Sequence, residues 1–96
     1  MITLQRSTRR NKKLMVTIDN KKIHFGQFLA KDYTMHNNLK LKKAYLARHR
    51  KREDWNRTGI KTAGFWSRWI LWNRKTIEGS IKDIERMFNV DINNLI

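Results

Sequence analysis

Apolar and polar positions change their spacing several times along this 96-residue chain, and each change marks an element. Leu14-Met15-Val16-Thr17-Ile18 is an aliphatic, β-branched run. Asp19-Asn20-Lys21-Lys22 interrupts it, and Ile23-His24-Phe25 resumes it before Gly26. Strand formers on either side of Asp and Asn, which tolerate left-handed backbone, predict a β-hairpin. A lone hairpin is marginally stable in water, so this one has to pack on something. Gly26 to Met35 has no clear period and reads as irregular chain or a short third element.

Asn37 or Asn38 suits a helix N-cap, and good helix formers follow to about Arg52. Leu41, Ala44, Tyr45 and Arg48 fall on one helical face, with Lys40, Lys42, Lys43, Arg50 and Lys51 on the others. Glu53 to Lys61 is a connector. Thr62 caps a second predicted helix, Ala63 to about Asn73, whose Phe65, Trp66, Trp69, Ile70 and Trp72 cover most of its circumference. A helix apolar nearly all round belongs at the centre of a core. Thr76 caps a third helix to about Phe88, with Ile77, Ile81, Ile84 and Phe88 in one stripe and Lys82, Glu85 and Arg86 away from it. Val90, Ile92 and Leu95 in the tail are placed to dock back on the core. The expected class is α+β: a basic N-terminal arm over residues 1–13, then one small domain over 14–96 with a hairpin and three helices around a tryptophan-rich core.

Charge adds an asymmetry to this plan. The chain carries 22 Lys/Arg against 8 Asp/Glu, a formal net charge of +14. Residues 1–52 hold fifteen of the cations and only two acids, Asp19 and Asp32, while residues 53–96 hold seven cations and six acids. The first part is therefore +13 and the second +1. Self-repulsion of this size opposes compaction and is relieved by a polyanion, whether nucleic acid, anionic membrane or acidic protein surface. The candidate polyanion-binding residues are Arg6, Arg9, Arg10, Lys12 and Lys13 in the arm. Lys40, Lys42, Lys43, Arg48, Arg50, Lys51 and Arg52 form the basic helix.

Other chemistry finds little support. No cysteine is present, which removes disulfides and thiolate metal sites and fits a reducing compartment. His24, His36 and His49 are too widely spaced for ordinary zinc-ligand pairs, and no metal or cofactor is expected. Glu53 and Asp54 are adjacent, so on a helix they do not face one another as an acid/base pair would. Asp54 is assigned instead to a turn, accepting backbone N–H bonds or pairing with Arg57. Ser7, Ser67 and Ser80 lack a glycine-elbow context, and no phosphate-binding glycine loop exists. Tryptophans can stack on single-stranded bases, but their crowding on one helix favours core packing, at roughly 1.5–3 kcal/mol per buried ring. A membrane partner is disfavoured: the longest apolar-rich run, Ala63 to Trp72, contains Arg68 and is about half a span. The basic helix also lacks a large apolar face. No apolar leader opens the chain. A small-molecule substrate is not expected.

Several blocks resemble successive blocks of one known family: His24-Phe25-Gly26, Asp32-Tyr33-Thr34-x-His36, Tyr45-Leu46-Ala47-Arg48-His49, Glu53-Asp54-Trp55, and the long block Gly59-Ile60-Lys61-Thr62-Ala63-Gly64-Phe65-Trp66-Ser67-Arg68-Trp69-Ile70-Leu71-Trp72-Asn73. Together they are similar to a family of small basic proteins of unknown function from large nucleocytoplasmic DNA viruses, over roughly residues 22–88. The resemblance implies a viral context and supplies no catalytic residues. The expected function is thus a non-catalytic structural protein of a large double-stranded DNA virus particle. A minor capsid or inner-capsid component, touching acidic capsid proteins or packaged DNA, fits best. It would reside in the virion, and in host cytoplasm during assembly. The alternative is a nucleic-acid-binding protein for genome condensation or gene regulation.

Overall fold

Asp19 and Asn20 both take left-handed backbone, with φ of 50° and 66°, and close a tight hairpin between Ile18 and Lys21. The computed structural model describes residues 1–96. Its hairpin pairs β2 (Lys12–Ile18) with β3 (Lys21–Gln27), setting Leu14 opposite Phe25 and Val16 opposite Ile23. Both strands outrun the apolar runs that announced them.

The expected arm corrects to something different. Ile2–Arg6 is a strand, β1, antiparallel to β2, with Leu4 opposite Val16 and Arg6 opposite Leu14. On its other side β1 pairs in parallel with β4 (Ile92–Asn94), giving the sheet order β3-β2-β1-β4. The physical reason lies in the alternation Ile2-Thr3-Leu4-Gln5: every second residue is apolar, and Leu4 is 0% exposed. Residues 1–13 are therefore part of the folded domain, and Arg6, Arg9 and Arg10 sit at the end of β1 and in the turn to β2.

The helical side follows its capping residues. Asp32 caps a short α1 (Tyr33–His36) by accepting the Thr34 N–H, and Asn37 ends it in a left-handed conformation. Asn38 then caps α2 (Leu39–His49), its side-chain oxygen accepting the Leu41 N–H at 3.2 Å. Thr62 and Thr76 cap α3 (Ala63–Trp66) and α4 (Ile77–Phe88), accepting the N–H groups of Phe65 and Gly79. A single 3₁₀ turn, Arg57–Gly59, lies between α2 and α3.

Two helices differ from expectation. After Trp66 the second helix widens into a π-helical turn, Ser67–Leu71, instead of running on as α-helix. Adjacent Ile70 and Leu71 are both buried, and the extra residue per turn lets both of these side chains reach the core. In α2 the expected stripe reduces to Tyr45: Leu41 is 48% exposed, and Ala44 and Arg48 are exposed as well. Lys side chains on most of its circumference leave that helix only one large ring with which to hold the body.

The core forms between one sheet face and the helices. Ile2, Leu4, Leu14, Val16, Ile18, Ile23 and Phe25 meet Phe65, Trp66, Ile70, Leu71, Ile81 and Ile84. Trp66 is fully buried and its indole N–H donates to the Ile60 carbonyl at 2.6 Å. Trp69, Trp72 and Phe88 pack against this core, completing a tryptophan-rich cluster in an α+β fold.

Candidate polyanion surface and groove

The backbone turns decide where the cations go. Arg9 and Arg10 crown the β1–β2 turn and are exposed, as is Arg6. Lys40, Lys43 and Arg48 project from α2, and Arg50, Lys51 and Arg52 follow its end, all exposed. Two of the twelve candidate residues point inward. Lys13 Nζ is 2.5 Å from Asp32 Oδ2, with the lysine largely covered. Lys42 Nζ donates to the Asn73 carbonyl at 2.6 Å and sits over the Tyr33 ring at 4.9 Å. Burial, then the nearby charges of Arg68 and Arg74, lowers the Lys42 ammonium below its usual range. Lys13 and Lys42 thus fasten α1 and α2 to the body, which is why they are not free surface charges.

Between the β2–β3 end of the sheet and α2 lies a groove of about 760 Å³. It brings Lys12 and Lys13 from the strand together with Arg48 from α2, and adds Lys31, His36 and His49. Its floor needs Gly26, whose φ is +80° and whose Cβ, if present, would stand 2.7 Å from Leu71 Cδ1. One wall is a ring stack: Trp72 on Tyr45 at 4.3 Å, and Tyr45 on His49 at 4.2 Å. Tyr45 Oη bonds Ser67 Oγ at 3.2 Å, and burial raises its hydroxyl above the usual range.

The acids of the groove are already occupied. Asp32 accepts from Lys13, from the Thr34 hydroxyl at 2.5 Å and from the Thr34 N–H at 2.9 Å. Glu53 lies 3.1 Å from His49 Nδ1 and accepts the Trp55 indole N–H at 3.2 Å. Asp54, as anticipated, makes a turn, accepting from Asn56 N–H and the Thr58 hydroxyl, and these bonds lower its carboxyl. Arg57 is not its partner and reaches the Phe88 carbonyl instead.

Elsewhere, Arg68 lies 4.1 Å from the Trp69 ring and 5.4 Å from the Trp55 ring, and donates to the Trp72 carbonyl at 2.9 Å. Burial lowers it somewhat. His24 bonds Ser7 Oγ at 2.7 Å, and burial, then Arg9, Lys22 and Lys12, lower its imidazole. No three His, Cys, Asp or Glu side chains converge as a metal site, and no helix is long and apolar enough to cross a membrane. Lys31 and the ring stack were missed in the sequence because both depend on contacts between distant segments. The pairing of Tyr45 with His49 at i and i+4 was the one local signal.

A model of a family described only as a family of unknown function (DUF5754) matches residues 2–49, from β1 to the end of α2, and the chain belongs to that family. No curated protein and no solved structure matches it.

Proposed function

We propose that this member of a family without an assigned function is a non-catalytic structural protein of a large double-stranded DNA virus particle. In this role it is a minor capsid or inner-capsid component that lays its cations on acidic capsid surfaces or packaged DNA. One observation carries the polyanion partner: the fold does not neutralise its own charge. Only Lys13, Lys61, Arg74 and Arg86, four of the 22 Lys/Arg, lie within ion-pair distance of a carboxylate, leaving eighteen that do not. Fourteen of these eighteen come from residues 1–52. Leaving so many cations unpaired works against stability unless an external anion supplies the countercharge. The particle setting rests on the resemblance of the residue blocks between 22 and 88, and the small, tightly packed body suits a cementing role.

Purified particles test this. The protein is expected in them at a fixed position against the shell or the genome, as seen by mass spectrometry and particle reconstruction. Its presence in infected cells together with its absence from purified particles would remove the structural role. The free cations would then be left to a nucleic-acid-binding protein acting in condensation or regulation.

A further inference from the structure

We propose that the groove between the β2–β3 end of the sheet and α2 binds a nucleoside 5′-phosphate, either free or as the phosphorylated end of a strand. This goes beyond the outer surface described above and does not depend on it.

The volume, about 760 Å³, lies within the roughly 300–1,000 Å³ typical of small-ligand sites. Its charge is one-sided. Of the ionisable side chains lining it, Asp32 is held by Lys13 and Glu53 by His49 and Trp55. Lys12, Lys31 and Arg48 line the same space, and their side chains make no hydrogen bond or ion pair within the protein. An arginine fork with two lysines, unopposed by any free carboxylate, is the donor set that phosphate oxygens accept from. The remaining wall is aromatic and aliphatic. Trp72, Tyr45 and His49 form a continuous stack along it, with Leu71 and Leu41 alongside. The ring faces of Tyr45 are covered by Trp72 and His49, so the wall offers ring edges and aliphatic side chains, an apolar surface on which a nucleobase packs while the donors hold its phosphate; an acidic peptide side chain has no use for that surface. The groove is also braced at both ends: the Lys13–Asp32 pair fixes the start of α1, and Tyr45 fixes α2. The backbone that carries the donors is thus fixed, and binding has to order only the exposed side chains themselves.

The test is calorimetric titration of the full chain at high salt, where diffuse surface attraction is screened. The titrants are AMP, inorganic phosphate, adenosine, and a short oligonucleotide with and without a 5′-phosphate. AMP, the phosphorylated oligonucleotide or both are expected to bind saturably and more tightly than inorganic phosphate or adenosine. Binding of both assigns the phosphorylated terminus generally, AMP alone a free nucleotide, and the oligonucleotide alone a strand end. Arg48→Gln and Lys31→Gln each weaken that binding by about tenfold, as loss of a charge-assisted bond does. Arg50→Gln and Arg52→Gln, outside the groove, leave it within about twofold, as exposed charges do. Unchanged Trp indole NMR signals show that each variant is folded, since all four side chains are exposed and bond nothing. The proposal is overturned by an absence of saturable binding, by equal losses in groove and outer variants, or by inorganic phosphate binding as well as AMP. Displacement of AMP by an equal concentration of a glutamate peptide would also overturn it. Since the outer variants report on the polyanion surface, failure here is distinguishable from failure there.

Discussion

Tyr45 lies face to face with Trp72, ring centroids 4.3 Å apart and planes within 3°, and its other face carries His49. It is the single buried residue of α2, so this mostly exposed helix, tied by Lys42 to the Asn73 carbonyl, has one ring as its main apolar anchor.

Truncation of that ring separates its roles. Tyr45→Ala should cost about 3–5 kcal/mol, the range for loss of a large buried aromatic. Tyr45→Phe, which removes only the bond to Ser67, should cost about 1 kcal/mol. Urea denaturation followed by Trp fluorescence measures both. A Tyr45→Ala loss below about 0.5 kcal/mol, the level of a surface change, would show that α2 is anchored by something else.

The inner position of β1 gives a sharper contrast. Leu4 is fully buried, and β1 is bonded on both sides, with the Leu95 N–H donating to the Leu4 carbonyl at 2.8 Å. Leu4→Ala should destabilise by about 2–5 kcal/mol. Deletion of residues 1–7 should leave no cooperative thermal transition by circular dichroism. A basic arm lying outside the fold would be removable with no change in melting temperature.

Both results bear on what was legible in the sequence. Local chemistry was readable: the Asp19-Asn20 turn, the caps at Asn38, Thr62 and Thr76, and the Ile77-Ile81-Ile84-Phe88 stripe each follow from a few neighbouring residues. β1 has its own period-two signal in Ile2 to Gln5, but it spans only four residues and runs into five cations by Lys13, the composition of a solvated arm. β4 was not readable as a strand because it pairs with Ile2 from ninety residues away. The π turn arises from crowding in three dimensions. Of the candidate site, the cations were legible by type, whereas the inward turn of Lys13 and Lys42 depends on Asp32 and Asn73, which only the fold brings near.

Acid stability should report the buried Asp83. Burial alone would raise its carboxyl, but hydrogen bonds from Asn73, Arg74 and Arg86 outweigh that and lower it from 3.8 to about 2. A depressed carboxyl stabilises the fold fully above its unfolded value, and this contribution is lost as pH falls through about 2. Because both arginines are largely exposed, the effect is roughly 1–2 kcal/mol. The stability gap between the wild type and Asp83→Asn should therefore shrink as pH falls from 3.8 through about 2 in urea titrations. A gap independent of pH would show that the carboxyl is not held down.

Gly59 tests the connector. A Cβ there would stand 2.0 Å from the Asp54 carbonyl oxygen, a backbone atom that cannot swing aside. Gly59→Ala should cost about 1–3 kcal/mol through forced displacement of the 54–59 turn. Circular dichroism melting checks this, and a melting temperature equal to the wild type's would mean that the turn is looser than described.

The most direct test of the central claim is the salt dependence of binding to two polyanions, duplex DNA and polyglutamate, by the full chain and by Lys43→Gln/Arg50→Gln/Lys51→Gln/Arg52→Gln. The wild type should bind at least one of them, and for DNA the affinity should fall linearly on a log–log plot with a slope set by the number of phosphates neutralised. The quadruple variant should remain folded, bind more weakly and show a shallower slope. No binding to either polymer at low salt, or an affinity that salt leaves unchanged, would contradict the claim that these unpaired cations exist to meet an external anion.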